Sequence, residues 1–398
     1  VASGGAGTME HFAEAAEAGA NVLLVPETAL GGRRPAVAIY LGATRAAADD
    51  GIDVGALRRA EFRMKVTKGV AYLAANTDIA ASFAMTEFVK RFTDYRFLTL
   101  TGDDPYTPNP DAAAVPCDVT IGPRFYSYSN SYWSTPFMGS HGQRVGWFRR
   151  IRAETRTSEL ESRYRVSSLP GRCHSQFSYC PPEKYAKPHP EYYLMDAEGK
   201  RKWSGNGAQL CFSNPDVFDI VYDSLERFIV EDRRTMPADY PLIYDFSQQD
   251  NSSYMCKCPT CQKIVARYDR KGGFSDGGDA GLQLQFVNRL AKKIRAKYPD
   301  VLVRTFAYVS TEEPPKDLVP EENVIIWLCD LYTRCDHTRP LDHPFNAHRK
   351  QLIETWCALA KHVELWDYSL YGESWFGDYP EVFPDAVSPA VSQCHYKI

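Results

Sequence analysis

Three groups of residues in this sequence have types and spacing suited to chemistry. The first is a series of carboxylates placed just after apolar runs: Asp250 with Asn251 beside it, Glu312 with Glu313, Asp330, and Asp367. The second is a set of rings at the same places, Tyr308, Trp366 and Tyr368, together with His174 in the polar string Arg172, Cys173, His174, Ser175. Acids and rings gathered at one mouth suit glycoside hydrolysis, in which one acid protonates the leaving oxygen and a second group stabilises or attacks the anomeric carbon. The rings would hold the apolar faces of the sugar. Asp250, Glu312, Glu313 and Asp330 are therefore the candidate catalytic residues. His174, Asn251, Tyr308, Trp366, Asp367 and Tyr368 are the candidate substrate contacts.

The third group is Cys256, Cys258 and Cys261, close enough in sequence to place three thiolates on one zinc ion. Structural zinc takes four protein ligands, and no fourth Cys or His follows closely. A structural zinc site, a local disulfide and a reduced structural cluster all stay open at this point, and no other cofactor is expected. Plainer readings stand beside each candidate. An Asp just past a strand is a common turn or cap residue, Glu312 and Glu313 precede Pro314 and Pro315 and read as a solvated pair on an exposed loop, and Trp327 and Trp366 read as core or wall.

The elements that must position these residues follow from periodicity. The first ~115 residues carry helical spacing over 9–18 and 79–92 and short strand patterns over 36–41, 62–66, 69–73 and 96–100. The stretch 102–111 is dense in Pro and Asp and reads as a linker, so a domain boundary is expected at 118, giving domains 1–118 and 119–398. Beyond it, strand patterns over 125–129, 165–169, 242–246, 301–308, 324–329 and 363–368 alternate with helical patterns over 213–231, 281–297 and 346–361. Ser213, Asn214 and Pro215 supply a helix start. Strands alternating with helices argue for parallel strands with crossover helices, and the length suits a (β/α)8 barrel of about 250 residues. Six strands are legible; two more must lie in the middle of the chain or beyond Ile398, so a barrel incomplete at the C-terminus, and a chain that is a fragment, are expected. In such a barrel the active residues sit at the C-terminal strand ends, which is where the acids and rings above fall.

Composition narrows the partners. Lys plus Arg number 46 against 50 Asp plus Glu, a net charge of −4, which leaves no basic footprint for nucleic acid. No apolar run reaches the ~20 residues of a membrane span. The 13% aromatic content suits a carbohydrate partner, an oligosaccharide or glycan. The 11 cysteines leave the compartment open.

The order and spacing of several strings resemble one known family: His189 to Tyr193, Gly199 to Arg201, Gln209 to Pro215, Gln249, Asp250 and Asn251 leading to Cys256, Cys258 and Cys261, Phe286 to Ala291, Tyr298 and Pro299, Ala307 and Tyr308, Pro314 to Lys316, and Trp366 to Tyr368. They look like the domain family of unknown function 4838, part of which is classed as glycoside hydrolase family 163. The first ~115 residues are similar to the α/β domain that precedes the barrel there, in hexosaminidases and in α-glucuronidases. The resemblance implies a glycosidase barrel of endo-β-N-acetylglucosaminidase type, in which the substrate's own acetamido group attacks the anomeric carbon, and it favours a secreted or periplasmic protein. Asp250 falls at the strand end that carries an Asp-Glu pair in the similar hexosaminidases. Here the next residue is Asn251, which cannot donate a proton as a general acid, so the acid would come from Glu312, Glu313 or Asp330. Two further readings are an α-glucuronidase-like enzyme, with Arg172 or Arg334 as a carboxylate clamp, and a sugar-binding protein without catalysis.

Overall fold

The computed structural model describes residues 25–58, 60–93, 114–122, 165–205, 207–250, 255–270, 277–329 and 342–366. By its internal contacts the chain divides into two units, one running to Glu159 and one starting at Leu160. The expected boundary at 118 falls inside a strand of the first unit, and the strand's pairing is the reason it belongs there. Expected elements over 9–18, 96–100 and 125–129 lie outside the described residues.

In the first unit, strands β1 (Ala38–Leu41), β2 (Phe62–Val66), β3 (Val70–Ala75) and β4 (Cys117–Ile121) form a sheet in the order β1-β3-β2-β4. β1 runs parallel to β3, whereas β2 is antiparallel to both its neighbours. Alternation sorts the side chains: Phe62, Met64 and Val66 of β2 are buried and the residues between them are half-buried. They meet Leu41 and Leu73 and the face of helix α2 (Asp78–Phe92) that carries Ile79 and Phe83. Thr77 caps that helix by accepting the Ala80 N–H. The short helix α1 (Arg45–Asp49) covers the other face with Ala46 and Ala47, against Tyr40 and Tyr72, whose rings stack at 5.3 Å.

The second unit opens with short helices α3 (Gln176–Tyr179) and α4 (Pro182–Tyr185) and the hairpin β5 (Leu194–Met195) with β6 (Arg201–Lys202). Helix α5 (Pro215–Thr235) starts as its sequence requires, with Pro215 in the first turn and the Asn214 side chain accepting the Asp216 N–H at 2.9 Å. Strand β7 (Ile243–Asp245) follows, then helices α6 (Pro259–Tyr268) and α7 (Gly278–Arg295), β8 (Leu302–Ala307), β9 (Val324–Cys329), α8 (Ala347–Leu359) and β10 (His362–Trp366). These four strands pair in parallel in chain order, β7-β8-β9-β10. The strand expected over 165–169 is reduced to one parallel bridge, Val166 to Ile243. Ser167 donates from it to Asp232 of α5 at 2.6 Å, both buried.

The register gives the sheet two unlike faces. Val303, Ala307, Val324, Ile326 and Leu328 point one way and pack, fully buried, against Leu225 and Ile229 of α5, Leu290 and Ile294 of α7, and Trp356 of α8. Each of the Val, Ile and Leu side chains contributes on the order of 1.5–3 kcal/mol by leaving water. The intervening positions form the other face. Asp245 pairs with Arg304, Phe306 with Trp327, Trp327 with Glu364 and Cys329 with Trp366. Charges and large rings thus occupy the face opposite the one that α5, α7 and α8 pack against.

Candidate functional site

The polar face begins at β7. Asp245 and Arg304 are buried, Arg304 Nε donating to Asp245 Oδ2 at 3.2 Å, and Arg304 Nη1 lies 2.8 Å from Glu364 Oε2 on β10. Nη2 donates to the Arg172 carbonyl, and the guanidinium lies 3.7 Å from the Trp327 ring centre. Burial works against the charge on Arg304, but Glu364 and Asp245 outweigh it and raise its pKa above the ordinary arginine value. The carboxylate of Asp245 also accepts from Ser175 Oγ at 2.7 Å and Ser247 Oγ at 2.6 Å. Its net of donors fixes the turn that leaves β7.

That turn carries Asp250. Ser247 Oγ accepts the His174 N–H at 2.7 Å, Gln249 Nε2 donates to the His174 carbonyl at 2.9 Å, and Gln248 Nε2 donates to the Tyr308 carbonyl at 2.8 Å. Gln209 grips the same turn from upstream: its Oε1 accepts the Gln249 N–H and its Nε2 donates to the Gln249 carbonyl. Asp250 is then met by two of the residues singled out from sequence. Tyr308 donates its hydroxyl to Asp250 Oδ1 at 3.2 Å, and His174 Nε2 lies 3.9 Å from the same oxygen. His174 Nδ1 lies 2.7 Å from the Gln248 carbonyl, so the proton sits on Nδ1 and Nε2 faces the carboxylate. The Asp250 side chain is 68% exposed, open to a ligand on its other side.

Beneath this group lies a ring floor. Trp366 stacks on Trp327 at 4.9 Å, Phe306 lies 4.9 Å from Trp327, and His174 meets Phe306 edge-on at 5.1 Å. Two residues at the rim hold left-handed backbone, His174 at φ 51° and Val309 at φ 54°. For a β-branched residue such as Val309 this is an outlier costing on the order of 1–3 kcal/mol, and such strain gathers at functional sites.

The structure brings together His174, Tyr308, Asp250 and Trp366. It does not leave Glu312 and Glu313 on the surface. Expected on an exposed loop, they are 0% and 8% exposed, because the chain turns inward after Thr311 and packs on α8. Trp356 Nε1 donates to the Glu312 carbonyl at 2.7 Å, and Glu313 Oε1 lies 2.8 Å from His348 Nε2. Asn251, Asp330, Asp367, Tyr368 and Arg334 lie outside the described residues. Cys256, Cys258 and Cys261 are buried and unbridged, and the fourth thiol missing from their sequence neighbourhood is Cys211, brought in from upstream. The sequence does not single out Asp245, Arg304 or Glu364, and it marks Gln209 only as part of a family string. The available signal was a charge inside an apolar strand run, Asp245 in 242–246 and Arg304 in 301–308.

Residues 100–387 match the family described as Domain of unknown function (DUF4838). The chain belongs to this family. The Gln209 to Pro215 string supplies Gln209, Cys211 and the cap of α5, and Gln249 to Cys261 holds Asp250 and three of the buried thiols. Among solved structures the chain is similar to a chitobiase from Flavobacterium johnsoniae, at 12% identity and a TM-score of 0.38 over 77% of this chain and 46% of that one. It is also similar to a β-N-acetylhexosaminidase from Bacteroides fragilis, at 13% identity and 0.33 over 77% and 61%. A third is the β-N-acetylhexosaminidase of Streptomyces coelicolor, at 12% and 0.34 over 84% and 64%. The chain thus spans less than two thirds of the length of these structures. Comparison with the curated proteins gives no match. No helix among the described residues is long and apolar enough to cross a membrane.

Proposed function

We propose that this DUF4838 chain is a glycoside hydrolase of hexosaminidase-like type acting on N-acetylated glycans, and that its parallel strands are part of a (β/α)8 barrel whose inner face is the charged and aromatic one. The observation that carries the reading is the Asp250 carboxylate, held by the Tyr308 hydroxyl at 3.2 Å and faced by His174, at the C-terminal end of parallel strands and above a floor of rings. In this reading the sugar ring lies on Trp366 and Tyr308, and the open oxygen of Asp250 accepts the acetamide N–H of the substrate. The acetamide oxygen is thereby aimed at the anomeric carbon, and its attack expels the leaving oxygen as an acid protonates it. Tyr308 fixes the rotamer of Asp250 so that the acetamide is oriented before reaction. Asp330, next in sequence after Cys329 of β9, is the candidate acid in this reading, since Glu312 is buried and the Glu313 carboxylate is engaged by His348.

That same engagement favours a second reading, a carbohydrate-binding protein without catalysis. The two are separated by one set of assays: hydrolysis of aryl β-N-acetylglucosaminides and complex N-glycans by wild type and Asp250→Asn, with calorimetric binding of the same glycans. Turnover lost in the variant supports the hydrolase. Binding with no turnover in wild type supports the second reading, and turnover unchanged in Asp250→Asn removes Asp250 from the mechanism.

A further inference from the structure

The four buried thiols of Cys211, Cys256, Cys258 and Cys261 carry a site independent of the sugar reading. Cys211 Sγ lies 3.7 Å from Cys256 Sγ, 3.7 Å from Cys258 Sγ and 3.8 Å from Cys261 Sγ, and all four sulfurs lie within 4.8 Å of one another. Zinc bonded to sulfur at about 2.3 Å in a tetrahedron separates its ligands by about 3.8 Å. A disulfide would single out one pair at the bonded S–S length of about 2.0 Å. Here Cys211 is equidistant from three partners.

The surroundings suit negative sulfur. The N–H groups of Met195 and Cys258 point at Cys256 Sγ at 3.2 and 3.5 Å, and the Cys261 N–H points at Cys258 Sγ at 3.5 Å. Cys258 is the N-cap of α6, a ten-residue helix whose N-terminal dipole favours thiolate at Cys258 and Cys261. Ser213 Oγ lies 3.1 Å from Cys261 Sγ, 3.5 Å from Cys258 Sγ and 3.6 Å from Cys211 Sγ, within reach for its hydroxyl to donate to a bound thiolate. Outer donors of this kind orient and stabilise thiolate ligands.

We infer that Cys211, Cys256, Cys258 and Cys261 form a structural tetrathiolate zinc site. Loading replaces four S–H protons, released to solvent, by one divalent ion, with no change of oxidation state. Four protein ligands close the coordination sphere, so the ion has no open position for chemistry. Its role is mechanical. Cys211 lies two residues after Gln209 and Cys256 lies six residues after Asp250, so one ion ties the chain beside the Gln209 clamp to the chain that follows the turn Gln209 grips. The Lys257 N–H, donating to the Met195 carbonyl at 2.7 Å, joins the β5–β6 hairpin to the same knot.

The test uses the whole chain purified under reducing conditions and loaded with Zn²⁺ alone or Co²⁺ alone. Elemental analysis is expected to give one zinc per chain. The cobalt form is expected to show the intense near-ultraviolet thiolate charge transfer and visible bands of a tetrahedral all-sulfur site. Cys211→Ser is expected to weaken zinc binding at least about 10-fold, while Cys357→Ser, an exposed cysteine elsewhere, leaves it unchanged. Because Cys211→Ser can fail to fold, wild type supplies a second readout: chelation is expected to expose four additional thiols to a thiol reagent. Substoichiometric zinc after loading, iron in its place, a cobalt spectrum indifferent to Cys211, or disulfides among these four in the reduced preparation would each overturn the assignment. None of these readouts depends on glycan turnover.

Discussion

Asp245 and Arg304 face each other as register partners on neighbouring parallel strands, and their side chains close a 3.2 Å ion pair with almost no exposure to water. The pair joins two functions of the sheet. It fills the interior of the polar face, and through Ser247, which accepts from His174 and donates to Asp245, it fixes the ring that faces Asp250.

Removing one member should leave a buried charge short of its partner. Asp245→Ala is expected to destabilise the protein by about 3–5 kcal/mol, read as a fall in the urea midpoint by circular dichroism. A loss of under about 1 kcal/mol would mean that Glu364 alone neutralises Arg304.

The hydroxyl of Tyr308 touches Asp250 and leaves the ring floor unchanged when deleted. Under the proposed hydrolysis, Tyr308→Phe should lower kcat on an aryl N-acetylglucosaminide about 10-fold and Asp250→Asn by ~100-fold or more, with KM moving less than kcat in both. A change confined to KM would assign both residues to binding.

Helices α6 and α7 approach closely enough that a Cβ at Gly281 would stand 2.2 Å from Tyr268 Cβ and 2.6 Å from Cγ. The contact is ring root against backbone, so no rotamer relieves it. Gly281→Ala is expected to cost about 1–3 kcal/mol despite alanine's better helix propensity. A stabilised variant in thermal unfolding would contradict the packing.

Glu226 of α5 bonds to Lys297 and accepts from Tyr298 OH at 3.1 Å, tying α5 to the end of α7. The bond from Lys297, opposed by partial burial and aided by Tyr298, holds its carboxyl below the usual range. A carboxylate depressed on folding stabilises above its unfolded pKa of about 4.3, and that stability disappears as pH falls through the folded value. Glu226→Gln should therefore lower the urea midpoint at pH 7 and match wild type at pH below about 3. A gap that persists in acid would assign the effect to packing.

Much of the fold was legible because it rests on local pattern. The 3.6-residue spacing of Val217, Val221, Leu225 and Ile229, with Asn214 and Pro215 before them, defines α5 without reference to anything distant. The apolar run 324–329 is β9 to the residue. Family membership was legible for the same reason, and so was the position of Tyr308 and Trp366 at the ends of β8 and β10, since the order of strand and loop is written along the chain. What the tertiary structure alone decided is pairing across distance. Nothing local links Arg304 to Asp245 and Glu364, Cys211 to a thiol cluster 45 residues away, or Glu313 to His348. Each partner is selected by which strands and helices pack together, and burial then excludes the water that would otherwise have served these groups. The same packing turned Glu312 and Glu313 from an expected surface pair into buried residues against α8. It also drew residue 118 into the first sheet, where β4 completes the edge of β2.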